Sequence, residues 1–195
     1  MYHIYQTEGF ILGSVPVKEA NRYISIYTKE LGLLRGMAQG VRNLRSKLKY
    51  SLQDLSYSKI SLVRGKEVWR IVNAEKLSFL DKSLQDEKRK VILARIAAFL
   101  KRFVRGEERD ERLFEEIKNS LYFVEKEEFN NEEIRFFDIV LVLRLLNILG
   151  YGPKEKVFDE LIYFQEWDKG KLSLVAGNED KIITFINKAI EQSHL

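Results

Sequence analysis

Gly32-Leu-Leu-Arg-Gly-Met-Ala-Gln-Gly-Val-Arg-Asn-Leu-Arg-Ser-Lys-Leu-Lys-Tyr50 changes character partway along its length. Leu33–Ala38 reads as a short strand. From about Gly40 to Tyr50 the chain becomes a long polar linker. Between Leu31 and Gln53 it carries five cations, Arg35, Arg42, Arg45, Lys47 and Lys49, and no acidic residue. Charges of one sign spaced through a strand and the loop after it form a surface that attracts a polyanion and releases its counterions. A solvated basic loop has the same composition, so the segments on either side decide the reading.

Those segments have strand character. Ile4–Leu12 and Tyr23–Tyr27 precede the linker; Leu55–Val63 and Val68–Ala74 follow it. Alternation is clear in Tyr23-Ile-Ser-Ile-Tyr27 and in Tyr57–Val63. Gly13-Ser-Val-Pro16 and Glu30-Leu-Gly32 read as breaks. Arg64-Gly-Lys-Glu67 reads as a tight hairpin turn with Gly65 at positive φ. Five short strands, with a long connection between the third and fourth, predict a small closed barrel of the OB-fold type. The glycines at 32, 36 and 40 fit a strongly curved strand with bulges better than a phosphate cradle. No Gly-Lys-Ser/Thr follows them, which excludes a Walker loop.

After about Ser78 the period becomes helical. Gln85–Arg105 places Val91, Ile92, Ile96, Phe99 and Phe103 on one side, with Gly106 as the residue after its end. Glu107–Glu127 repeats Leu113, Phe114, Ile117, Leu121 and Val124 at helical spacing. Asn130 with Glu133 forms a capping-box pattern that opens a third helix, apolar nearly all round, ending at Gly150. Leu161–Glu166 and Lys171–Val175 flank Asp168-Lys-Gly170 and predict a hairpin. Asp180–Gln192 predicts a last amphipathic helix. The expected fold is therefore mixed, β then α: an OB-fold barrel over residues 1–78, then an all-helical domain over 79–195 with a small β-hairpin near 161–175.

Composition bounds the function. The chain has 195 residues, 45% hydrophobic, with a net charge of +4. That charge is uneven: residues 1–75 hold 12 Lys+Arg against 6 Asp+Glu, and residues 76–195 hold 21 against 23. The polyanion-facing surface belongs to the first part. The absence of cysteine excludes disulfides, thiolate zinc sites and a cysteine nucleophile, and suits a reducing cytosol. Met1–Glu8 has neither the basic nor the apolar region of a secretion signal. The longest apolar stretch, Ile134–Leu149, is interrupted by Arg135, Asp138, Arg144 and Asn147, so it reads as a core helix rather than a membrane span.

His3 and His194 stand at opposite ends, and no His lies near a candidate serine. Nucleophilic catalysis thus has no visible machinery. The carboxylates of residues 107–128, Glu116 among them, read as one solvated helix face. No enzyme, cofactor or metal site is expected. The candidate phosphate contacts are Arg22, Arg35, Arg42, Arg45, Lys47 and Lys49. The candidate stacking platforms are Tyr23, Tyr27, Tyr50 and Tyr57.

Several short motifs, in order, carry a resemblance. Thr7-Glu-Gly-Phe-Ile-Leu12, Thr28 with Gly32, Ala38-Gln-Gly-Val-Arg42 and Ser46-Lys-Leu48 before Leu52-Gln53 resemble the N-terminal domain of the RecO family. These are recombination mediators and DNA-repair proteins of the bacterial RecFOR pathway. Leu149-Gly-Tyr-Gly-Pro153 resembles the end of the family's central helix. Leu161-Ile-Tyr-Phe164 and Gly170-Lys-Leu-Ser-Leu174 resemble its later hairpin. Many members carry a four-cysteine zinc site after the Gly-Tyr-x-Pro motif; Lys154-Glu-Lys-Val-Phe158 stands there instead, so no zinc is expected. Gln39 replaces a frequent family lysine, and the helical domain looks shortened.

The resemblance implies binding of single- and double-stranded DNA without sequence preference, strand annealing, and assistance to RecA loading together with RecR. It implies a cytoplasmic, nucleoid-associated protein. It also implies that the acidic C-terminal tail of the single-stranded DNA-binding protein docks on the helical domain. The residues alone leave open a second reading: a non-enzymatic adaptor whose basic stripe docks an acidic protein or a membrane surface. On the first helix that stripe would comprise Lys88, Arg89, Lys90, Arg95, Lys101, Arg102 and Arg105.

Overall fold

The structure, a computed structural model, describes residues 3–154 and 156–193; His194 lies outside them. Five strands close into a barrel: β1 (Ile4–Val17), β2 (Asn21–Thr28), β3 (Gly32–Ala38), β4 (Tyr57–Arg64) and β5 (Trp69–Lys76). Their order around the barrel is β1-β2-β3-β5-β4, with β1 returning to β4. The β3–β5 pair is parallel and the others are antiparallel. This is the OB-fold arrangement expected from the strand count and the long third connection.

Alternation fills the interior. Ile24 and Ile26 of β2, Leu34 of β3, Ile60 and Leu62 of β4 and Ile71 of β5 meet in one core. Fully burying such a side chain contributes roughly 1.5–3 kcal/mol. The linker's two ends supply Val41 and Leu52 to the same core. Between them α1 (Leu48–Ser51) makes one turn, and the Ser58 hydroxyl donates to the Ser51 carbonyl at 2.5 Å.

Three local expectations are corrected. Gly13–Pro16 does not end β1. The strand runs on to Val17 through a bulge between Ile11 and Gly13, with Gly13 at φ +142°. Beyond Phe10, β1 pairs with β2 alone, and Pro16 lies in this edge portion, opposite Arg22, where proline is tolerated. β3, expected to bulge, pairs with β2 in unbroken register. Gly36 is there for space: a Cβ would stand 2.8 Å from Ile71 Cγ1. Gly65 does not adopt positive φ; a side chain there would strike the Val68 carbonyl at 2.4 Å.

The helices are α2 (Asp81–Gln85), α3 (Glu87–Phe103), α4 (Glu111–Lys126), α5 (Asn131–Ile148), α6 (Asp159–Ile162), α7 (Lys169–Leu172) and α8 (Glu179–Gln192). β5 ends at Lys76, yet the compact unit that contains the barrel runs to Phe114; the second unit begins at Glu115. Within the first unit the stretch after α3 lies along the barrel, where the Leu33 N–H donates to the Gly106 carbonyl at 3.2 Å. Phe114 packs on Phe10 and Tyr27 with ring centres 5.4 and 5.8 Å apart. α4 therefore starts later than expected, at a cap where Asp110 Oδ1 accepts the Leu113 N–H at 2.9 Å.

In the second unit the capping box of α5 is complete: Asn130 Oδ1 accepts the Glu133 N–H, and Glu133 accepts the Asn130 N–H, each at 2.8 Å. The hairpin near 161–175 is absent; α6 and α7 occupy that stretch. Adjacent Leu161 and Ile162 are both buried, which a strand with one covered face does not allow. Asp168 caps a helical turn through the Lys171 N–H at 3.0 Å. The carbonyls of Ile162 and Phe164, which a ladder would use, accept from Arg144 Nη1 at 2.8 and 3.1 Å.

Candidate nucleic-acid interface

Register decides which side chains share the barrel's outer face. Past the bulge, Gly13 is opposite Ser25 and Ser25 opposite Arg35; Val15 is opposite Tyr23 and Tyr23 opposite Met37. The parallel pairing adds Arg70 beside Met37. Ile24, Ile26 and Leu34 alternate inward, so these residues face outward. Arg35 is exposed, and its guanidinium carbon lies 4.2 Å from the centre of the Tyr23 ring. The pair holds the guanidinium by a cation–π contact. It leaves a charged planar group outward, able to meet a phosphate or to stack on a base. Arg70 was not among the expected contacts. Only the parallel β3–β5 pairing, made far apart in sequence, brings it here.

Arg22 does not join this face. It shares its parity with Ile24 and pairs with Pro16 and Ala38 at the barrel's end. There it is half-buried and donates from Nη1 to Ser14 Oγ at 3.1 Å.

The linker is tied down at its start. The Arg42 N–H donates to the Ala20 carbonyl at 3.0 Å, its Nη1 to the Lys18 carbonyl at 3.3 Å, and the Gly40 N–H to Asn21 Oδ1 at 3.0 Å. Arg42 is thus placed beside the β1–β2 turn. Arg45, Lys47 and Lys49 follow, all exposed, as is Leu44 at 92%. Tyr50 is 61% exposed, with the Lys76 ammonium 4.8 Å from its ring centre. Burial draws the Lys76 pKa down, but the hydrogen bond and charge of Asp81, at 2.7 Å, and the Tyr50 hydroxyl outweigh it, and the net shift is upward.

Two of the four candidate platforms are not available. Tyr27 and Tyr57 are buried in the first unit, against Phe114 and against Phe10. Burial, then the charge of Asp110, pushes the Tyr27 hydroxyl well above its ordinary pKa. Tyr23 and Tyr50 remain at the surface.

The second unit buries an ion pair among its described residues. Arg144, on the apolar α5, pairs through Nε and Nη2 with both Glu116 oxygens at 2.6 Å, and Trp167 Nε1 donates to Glu116 at 3.1 Å. Phe164 lies under the guanidinium at 4.0 Å. Glu116 therefore leaves the solvated carboxylate face to which its spacing assigned it. An open groove of about 990 Å³ lies between Gly150–Lys154 with Phe158 and α8, lined by Tyr151 and Phe185, by Lys154, Lys181 and Lys188, and by the carboxylate of Asp180. The run Lys154-Glu-Lys-Val-Phe158 that follows Pro153 holds neither Cys nor His. Among the described residues no cluster of His, Cys, Asp and Glu could hold a metal ion, and no helix is long and apolar enough to cross a membrane.

Two family models match this chain. "Recombination protein O N terminal" covers residues 1–79 and "Recombination protein O C terminal" covers residues 84–156. Proteins named DNA repair protein RecO are similar to it. That of Thermodesulfovibrio yellowstonii is 30% identical over 154 residues, 78% of this chain and 60% of its own length. That of Acetivibrio thermocellus is 28% identical over 149 residues, 76% of this chain and 58% of its own. That of Dehalococcoides mccartyi is 39% identical over 80 residues, 40% of this chain and 32% of its own. The chain spans about three fifths of the length of the longer-matching curated relatives. With matches of the same family over the barrel and over the helices that follow it, the chain belongs to the RecO family.

Proposed function

We propose that this chain is a DNA-repair and recombination mediator that works by binding, not by catalysis. It takes single- and double-stranded DNA without sequence preference, promotes annealing of complementary strands and, with RecR, assists RecA loading. Its place of action is the cytoplasm, on the nucleoid. The observation that carries this reading is the outer face of an OB-fold barrel that sets Arg35, Arg70 and Tyr23 together, continued by the exposed cations of the linker. Barrels of this type bind oligonucleotides on their strand 2–3 face. Cations there meet phosphates, which carry no sequence information.

The partner-tail reading moves with the structure. The first helix, α3, belongs to the barrel's unit. In the second unit the groove lined by three lysines, Lys154, Lys181 and Lys188, against one carboxylate, Asp180, and by the rings of Tyr151 and Phe185, has the chemistry for a short acidic peptide with apolar residues. It is our candidate for the acidic tail of the single-stranded DNA-binding protein.

Competition separates this function from that of an adaptor for acidic proteins. A labelled oligonucleotide of mixed sequence should bind the full chain and resist displacement by a polyglutamate peptide of equal charge. Displacement by the peptide at equal concentration, or no oligonucleotide binding at all, would overturn it.

A further inference from the structure

One position on the barrel's outer face carries no side chain of its own. Gly13 stands opposite Ser25, which stands opposite Arg35. A Cβ at position 13 would lie 2.9 Å from Lys101 Nζ and 3.9 Å from its Cε. The space above Gly13 is thus taken by an ammonium arriving from α3. That helix buries Ile96, Phe99, Leu100 and Phe103 and leaves Lys101 exposed. A lysine more than eighty residues away in sequence ends the row that Arg35 begins.

Neighbouring strands lie about 4.8 Å apart, so Arg35 and the Gly13 notch are separated by about 10 Å across β2. Arg70 stands one strand further out, on β5. The outward positions of β1 from Gly13 onward, of β2 up to Ser25 and of β3 hold no carboxylate. Cations spread across successive strands, over a β1–β3 face without carboxylates, fit a chain of regularly spaced anions better than a compact acidic group.

Resting on the nucleic-acid reading above, we infer that a single DNA strand crosses the barrel transversely, from β5 over β3 and β2 to β1. Arg70, Arg35 and Lys101 contact its phosphates in that order, and α3 completes the track. The Tyr23–Arg35 pair lies in the middle of the path and meets the bases. The bulge, with Gly13 at φ +142°, requires the glycine, and the open position it leaves on the outer face is where the Lys101 ammonium lies.

Titration of the full chain with oligo(dT), at several salt concentrations, tests this with three variants. Lys101→Ala should weaken binding several-fold and flatten the slope of log K against log[salt] by about 0.7, the single-strand value for one phosphate. Lys101→Arg should retain affinity and slope. Lys88→Ala, about 20 Å away along the same helix, should bind as wild type and controls for net charge. Wild-type affinity and slope in Lys101→Ala, or an equal loss in Lys88→Ala, would overturn the track and leave the binding function standing. A wild-type chain that does not bind oligo(dT) would overturn both.

Discussion

Arg35 stands over the ring of Tyr23, its diagonal neighbour across the β2–β3 pair, with 4.2 Å between guanidinium carbon and ring centre. Neither residue is held there by a carboxylate. The contact keeps a cation at the middle of an outward face and spreads its plane where a base could stack.

The pair separates charge from shape. Arg35→Lys keeps the charge, so the salt slope for single-stranded DNA should stay near wild type, but the planar stacking group is gone and affinity should fall. Arg35→Ala should reduce affinity and flatten the slope by about 0.7. Equal binding by wild type and both variants would remove Arg35 from the interface.

The linker cations should act additively and without regard to sequence. Replacing Arg42, Arg45, Lys47 and Lys49 by Ala should weaken binding to unrelated oligonucleotides by a similar factor. The slope should flatten by about 0.7 for each phosphate of a single strand that is no longer neutralised. Stability should stay within about 0.5 kcal/mol of wild type, as for exposed positions generally. Unchanged affinity and slope would make the linker a solvated connection only.

Arg144 and Glu116 are both largely buried, with side chains 9% and 11% exposed. Arg144→Met leaves the Glu116 carboxylate without its bidentate partner and should cost about 3–5 kcal/mol of stability. Adding Glu116→Gln should restore part of that stability. Urea unfolding of the full chain measures both; a single variant as stable as wild type would contradict the pairing.

Glu133 makes stability depend on acid. The Asn130 N–H holds its carboxyl below the ordinary value; desolvation opposes this, and Lys169 at 3.3 Å adds to the lowering. A depressed folded pKa stabilises above the unfolded value, about 4.3, and that contribution disappears as pH falls through the folded value. The advantage of wild type over Glu133→Gln should therefore be constant near neutrality and shrink below about pH 4. A difference independent of pH would show that only the hydrogen bond matters.

The legible parts of this chain were the local ones. Alternation in Tyr23–Tyr27 gave β2 its faces, and Asn130 with Glu133 gave α5 its start. Strand count and one long linker were enough for the OB-fold. What the residues could not reveal depends on distant partners. Arg70 reaches the site only through the parallel β3–β5 pairing, and Arg22 leaves Arg35's face by strand parity. The bulge in β1 hides behind a Gly-Ser-Val-Pro run that imitates a turn. The false hairpin near 161–175 has the right composition, but Arg144, from α5, takes the carbonyls it would need.

The most direct test of the central claim is a titration of the unmodified chain with two single-stranded oligonucleotides of unrelated sequence, over a range of salt concentrations. The account predicts affinities that agree for the two sequences at every salt concentration. It predicts a log K against log[salt] slope near −0.7 for each phosphate neutralised, hence about −2 or steeper for three or more phosphates. No binding at low salt, or binding that salt does not weaken, would contradict it.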